Sequence, residues 1–147
     1  MARWSLVVTL LLPLGLAACS AHGAPDPAAV EAAASARIQA IPAADPAKFH
    51  DAHITKMWKN PYLIVKPDGV ALLDVANSEE HIMHPDELTR KLAQLPDSAW
   101  PYGRVVAVTE STPNGSDRDK AEIRRNKAIV AGTLEGMHVA INWIPAA

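Results

Sequence analysis

Two pairs of histidines have the clearest chemical potential in this sequence. The members of each pair are three residues apart, and the pairs are His50 with His53 and His81 with His84. On a helix, residues i and i+3 lie on one face, so the two imidazoles of a pair could share a metal ion. A zinc site uses three or four protein ligands, so both pairs would have to converge or recruit nearby carboxylates. The alternative is that these are solvated histidines of loops and helix ends.

A second candidate site is the segment Trp100-Pro101-Tyr102-Gly103-Arg104, at the start of a predicted strand. Trp100, Tyr102 and Arg104 would offer a binding surface, because aromatic rings and guanidinium groups stack on sugars, peptides and protein surfaces. The alternative is packing, with Trp100 closing the core as a lid. Large aromatic side chains are scarce in this chain, and a core needs them.

Signatures of catalysis are missing from the sequence. There is no G-x-S-x-G nucleophile motif and no H-E-x-x-H zinc motif. The turn Asn114-Gly115-Ser116 lacks the repeated glycines and the lysine of a phosphate loop. Basic residues between 118 and 127 alternate with acidic ones, which is typical of a solvated helix face. We therefore predict neither a catalytic residue nor a cofactor.

The N-terminal residues have the organisation of a secretory signal. Arg3 provides a positive start, residues 6–12 are mainly apolar, and small residues precede Cys19. The apolar run is shorter than the roughly 20 residues that a membrane-spanning helix needs. We expect residues 1–18 to be a cleaved signal peptide.

The cysteine at the end of this signal has a specific setting. Leu16-Ala17-Ala18-Cys19 resembles the lipobox of bacterial lipoproteins. The resemblance implies a diacylglycerol on the Cys19 thiol, cleavage before Cys19 and acylation of the new amino group. Cys19 is the single cysteine of the chain, so no intramolecular disulfide can form. A lipidated sulfur is neither a nucleophile nor a metal ligand, which excludes thiol catalysis.

Composition limits the possible partners of the mature chain. Removal of residues 1–18 from the 147 leaves 129, enough for one domain and a tether. The chain has 14 Lys and Arg residues, one of them Arg3, against 16 Asp and Glu. This balance offers no basic surface, which argues against a nucleic acid as partner.

The segment between the anchor and the domain is rich in alanine and proline. We interpret residues 19–45 as a lipid-anchored tether with some helix that starts at Asp26-Pro27 and buries little surface. Asp45-Pro46 repeats the helix-start signal and predicts a helix over about 46–58. The folded domain is accordingly expected over residues 46–147.

Within the domain, strand and helix patterns alternate. Residues 62–65, a Pro-Asp-Gly turn and residues 70–75 predict a β-hairpin. Pro85 starts a helix with a leucine stripe. Residues 104–108 predict a third strand, and the continuous apolar run after Arg104 is of the kind that is buried on both faces.

The C-terminal part of the pattern completes the fold. A long helix over about 118–135 has its buried stripe at Ile123, Val130, Leu134 and Met137, with Gly136 as its C-terminal cap. Residues 139–144 form a last strand. The order ββαβαβ predicts a small two-layer α+β sandwich with helices packed on one face of the sheet.

The run from Tyr62 to Ile144 resembles the periplasmic domain of the ExbD/TolR biopolymer-transport family. The shared elements are an Asp-Gly hairpin, a leucine-striped helix, an apolar strand, a second helix and a final strand. The resemblance implies a fold. It does not transfer the family's proton-coupled function, because the apolar N-terminal segment has no acidic residue and is expected to be removed.

These observations predict a membrane-anchored bacterial lipoprotein whose domain is a non-catalytic periplasmic interaction or binding module. The membrane is then one partner, through Cys19, and an envelope protein is another. Ser20 follows Cys19 where an aspartate would favour the inner membrane, so we expect the periplasmic face of the outer membrane. The alternative is a small metal-binding or hydrolytic lipoprotein that uses the histidine pairs.

Overall fold

The computed structural model contains a mixed five-stranded sheet and three α-helices, and it describes residues 25–50, 52, 57–74, 78–111 and 116–146. The strands are β1 (Tyr62–Lys66), β2 (Gly69–Asp74), β3 (Glu79–Met83), β4 (Val105–Glu110) and β5 (Ala140–Trp143). The helices are α1 (Pro27–Gln39), α2 (Leu88–Ala93) and α3 (Asp117–Gly136). The predicted α+β class is confirmed.

The strand order across the sheet is β3-β2-β1-β4-β5. The first three strands are antiparallel neighbours, whereas β1 pairs with β4, and β4 with β5, in parallel. A parallel pair needs a crossover connection, and α3 provides the one between β4 and β5. The hairpin turns at Pro67-Asp68, as predicted, with Lys66 opposite Gly69.

The main core lies between the helices and one face of the sheet. The predicted stripe of α3 is buried here, with Ile123, Val130, Leu134 and Met137 no more than 3% exposed. Leu88 and Leu92 of α2 join it, and Leu63 and Val106 come from the central strands. Ser116 caps α3 through a capping box with Asp119, which satisfies amide groups that the first turn leaves free.

A second, smaller core covers part of the opposite face of the sheet. Trp58, Tyr102 and the partly buried Phe49 form an aromatic cluster whose ring centroids are 5.3 to 5.9 Å apart. This cluster packs on Val105 and Ala107 of β4. Side chains of β4 are therefore buried on both faces, as the continuous apolar run predicted.

The N-terminal boundary differs from the prediction. Ile38 of α1 is fully buried in the main core, and Ala43 forms a β-bridge with Arg104. The packed domain therefore starts before residue 46, and the interpretation of residues 19–45 as tether is wrong for the end of α1. The helix predicted over 46–58 is also wrong in its described part, where Pro46–Lys48 is a single 3-10 turn.

Two local features also differ. β3 was not predicted, because its sequence Glu-Glu-His-Ile-Met has little apolar content. After α3, the left-handed backbone conformation occurs at His138, with φ of 57°, and not at Gly136, which is the last helical residue. The chain therefore continues two residues beyond the predicted cap before it reverses.

Candidate functional site

The aromatic segment predicted as a binding surface is mostly buried. Trp100 is 5% exposed in the main core, and Tyr102 is 8% exposed in the smaller core on the other face. The Arg104 guanidinium binds backbone carbonyls of Gln39 and His138. These contacts contradict the predicted binding surface, because Trp100 and Tyr102 pack in two different cores and Arg104 binds backbone carbonyls. The geometry supports the alternative, in which the aromatic side chains serve packing.

His81 and His84 occupy separate structural settings. His81 lies on β3, a strand in which residues i and i+3 point to opposite faces, so the helical reasoning for His81 and His84 does not apply. His84 caps the 3-10 turn Pro85–Glu87 by accepting a hydrogen bond from the Asp86 amide. Among the described residues, no group of three or more His, Cys, Asp or Glu could hold a metal ion. His53 lies outside them, so the metal site stays a prediction.

The first candidate surface that the fold creates is the outer edge of β3. The Ala107 and Ser111 amides donate to the carbonyls of Pro61 and Val65, so odd-numbered residues of β1 bond to β4. Even-numbered residues of β1 consequently bond to β2. Alternation along β2 then directs the backbone amides and carbonyls of Val70, Leu72 and Asp74 towards β3.

The same alternation fixes the free groups of the edge. In β3, the backbone amides and carbonyls of Glu79, His81 and Met83 face β2. Those of Glu80 and Ile82 point away from the sheet. β3 is the terminal strand of the sheet that the described residues form, so these groups have no partner strand there. The Ile82 side chain is 52% exposed. Glu80 forms an ion pair with Lys66 on the face opposite the helices.

The second candidate is a half-open cavity of about 590 Å³ at the end of the sheet where β1 begins and β2 ends. Its walls are mainly apolar and come from three parts of the chain. They are Trp58 and Pro61, Leu72 and Leu73, and Leu95 and Ala99. The volume is within the range of roughly 300–1,000 Å³ that is typical of small-molecule sites.

Hydrogen bonds hold the wall that precedes β1. The Trp58 indole N–H donates to the Pro61 carbonyl at 3.1 Å. The buried Asn60 side chain donates to the Gly103 and Val105 carbonyls, both at 2.7 Å, and accepts from the Tyr102 amide at 2.9 Å. These bonds join the 58–61 segment to the start of β4, so the protein's own hydrogen bonds fix the position of this wall of the cavity.

Polar side chains stand at the rim of the cavity, namely Lys59, Asp74 and His81, all exposed. Sequence reasoning identified His81 alone among them, and for a different role. Only pairing of β3 with β2 brings His81 beside Leu72. A strand-length run between Asn77-Ser78 and Pro85 was the one local signal that pointed to this arrangement.

Comparisons with known proteins yield no match to a family model, to a curated protein or to a solved structure. The ExbD/TolR resemblance therefore stays a prediction from the order of elements. Within the described residues, no helix combines the length and apolar character required to cross a bilayer. Cys19 and residues 1–18 lie outside the described part of the chain.

Proposed function

We propose that this protein is a lipid-anchored module of the bacterial cell envelope that binds an extended segment of another envelope protein along the outer edge of β3. The observation that carries the proposal is the pair of outward-facing backbone groups at Glu80 and Ile82. An added strand would bond to these groups and place alternate side chains beside Ile82. The proposal assigns no catalytic residue.

The charges of the edge favour a basic partner segment. Glu79 and Glu80 lie on β3, and Asp74 lies opposite Glu79. Charged residues on an edge strand oppose pairing with a second copy of the same strand, because like charges would meet. Lys or Arg side chains on an incoming strand would instead meet opposite charge. The anchor at Cys19 is supported by the lipobox-like sequence, and it would confine the encounter to the membrane surface.

Proline substitution separates backbone pairing from other effects. Glu80→Pro removes an outward amide and no bond of the sheet, whereas Glu80→Ala removes the ion pair with Lys66 and keeps the amide. With a photo-reactive amino acid at position 82 in intact cells, we expect a cross-linked envelope protein in the wild type and in Glu80→Ala but not in Glu80→Pro. The same probe at exposed Ala121 of α3 is the control.

Three results would count against this function. They are equal cross-linking from positions 82 and 121, adducts that persist in Glu80→Pro, and cross-links that join only two copies of this chain. Circular dichroism of Glu80→Pro must show the wild-type fold for the comparison to hold.

A further inference from the structure

We propose that the cavity of about 590 Å³ binds a small amphiphile, with an apolar body between β2 and residues 95–99 and an anionic head group at Lys59 and His81. This site is separate from the outer edge of β3, because the edge uses backbone groups that face away from β2. It adds a small-molecule ligand to the protein partner proposed above.

The cavity walls select an apolar body. Leu72, Leu95 and Ala99 present hydrocarbon, and the Trp58 indole N–H is already bonded to the Pro61 carbonyl. Asn60, the one polar side chain of the inner wall, has both its amide donors and its carbonyl oxygen engaged with the backbone. A polar body would find no free side-chain partner on these walls and would lose its hydration.

The side chains of Lys59 and His81 at the rim of the cavity determine which charge the head group of the ligand should carry. Within the described residues, the Lys59 ammonium and the His81 ring form no side-chain hydrogen bond or ion pair, whereas Asp74 already interacts with another group. An ammonium has three donors and no acceptor, and an imidazole has at least one N–H donor. The uncommitted groups are therefore mainly donors, which suit a carboxylate or another anion.

The volume limits the size of the ligand. A drug-sized or medium-chain molecule fits a pocket of several hundred Å³, whereas a two-chain phospholipid does not. A single-chain carboxylate of about ten carbons combines an apolar body with an anionic head group. Each methylene that it buries contributes roughly 0.8 kcal/mol to the free energy of binding. Decanoate is therefore the probe, and decanol is its uncharged control.

The experiment is a calorimetric titration of the full chain with Cys19→Ala, so that no attached acyl group competes for the cavity. We expect decanoate to bind about tenfold or more tightly than decanol, a difference of roughly 1.4 kcal/mol. Lys59→Met should abolish the difference, whereas Lys91→Met on the exposed side of α2 should preserve it. Ala99→Phe should weaken both ligands about tenfold by filling the cavity, and Ala121→Phe should not.

Each other outcome overturns part of the proposal. Equal affinities for decanoate and decanol would remove the anionic head group, and absence of decanoate binding would remove the site. Cross-linking at position 82 does not depend on Lys59 or Ala99, so failure here leaves the proposed partner edge standing, and the reverse also holds. Thermal unfolding of each variant shows whether a loss of binding reflects a loss of fold.

Discussion

The Arg104 guanidinium donates a hydrogen bond to the Gln39 carbonyl at 2.6 Å. The same side chain donates to the His138 carbonyl at 2.8 Å, so one residue beside β4 joins the C-terminal end of α1 to the turn that follows α3. The last carbonyls of a helix lack intrahelical partners and carry partial negative charge, and a cation stabilises them. Arg104 therefore couples the N-terminal helix to the rest of the fold.

Replacement of Arg104 should measure this coupling. We expect Arg104→Met to lower the free energy of unfolding by roughly 1–2 kcal/mol, because hydrogen bonds from a charged, partly exposed donor are lost. The control, Arg118→Met at an exposed position of α3, should change it by less than about 0.5 kcal/mol. Urea unfolding followed by circular dichroism gives both values, and equal effects would contradict the bridging role.

The start of the domain is testable along α1. Ile38→Ala should destabilise the fold by roughly 2–4 kcal/mol, because Ile38 is fully buried in the main core. Val30→Ala on the same helix should cost less than about 1 kcal/mol, since Val30 is 37% exposed. If both changes proved neutral in thermal unfolding, α1 would be undocked in solution and a boundary at residue 46 would be restored.

Two glycines should respond with opposite sign. Gly69→Val should cost roughly 1 kcal/mol or more, because Gly69 has a φ of 152° and an added Cβ would clash with the Met83 carbonyl oxygen. Gly132→Ala in α3 should stabilise by roughly 0.5–1 kcal/mol, since nothing lies near its added Cβ. Thermal melts of the two variants check this, and a neutral Gly69→Val would mean that β3 yields to the new side chain.

The anchor is testable by mass spectrometry of the N-terminal peptide. We expect the mature protein to begin at Cys19 and to carry diacylglycerol and an amide-linked acyl group. Cys19→Ala should leave the protein without these groups and outside the membrane fraction. Ser20→Asp should keep the lipid but shift the protein towards the inner membrane. An unmodified Cys19 in the wild type would refute the lipoprotein prediction.

The histidine prediction can be settled with divalent metals. We expect zinc, copper and nickel to leave the melting temperature of the wild type unchanged. A bound metal would raise this temperature, because a ligand that binds only the folded state stabilises that state. The double variant His81→Ala, His84→Ala should behave like the wild type in this measurement. A stoichiometric shift of several degrees that disappears in the double variant would instead favour the metal-binding alternative.

Local signals are sufficient for several elements of this protein. The Pro67-Asp68-Gly69 turn, the apolar period of α3 and the Ser116 cap each depend on residues that are close to one another in the sequence. Their chemistry is the same in any tertiary context, so the hairpin and the long helix could be predicted. The buried run of β4 was also readable, because a strand covered on both faces needs apolar residues at successive positions.

Contacts between distant residues decided the rest. β3 is a strand because β2 offers it a row of backbone partners, not because Glu79 and Glu80 favour a strand. Ile38 lies in the core because distant residues hold the end of α1 in place, among them Arg104, which binds the Gln39 carbonyl across 65 residues of sequence. Trp100 and Tyr102 are two residues apart but lie in different cores, since the chain crosses from one face of the sheet to the other between them. Propensity and spacing describe a residue's neighbours along the chain, whereas burial and edge exposure depend on which strands and helices meet in space.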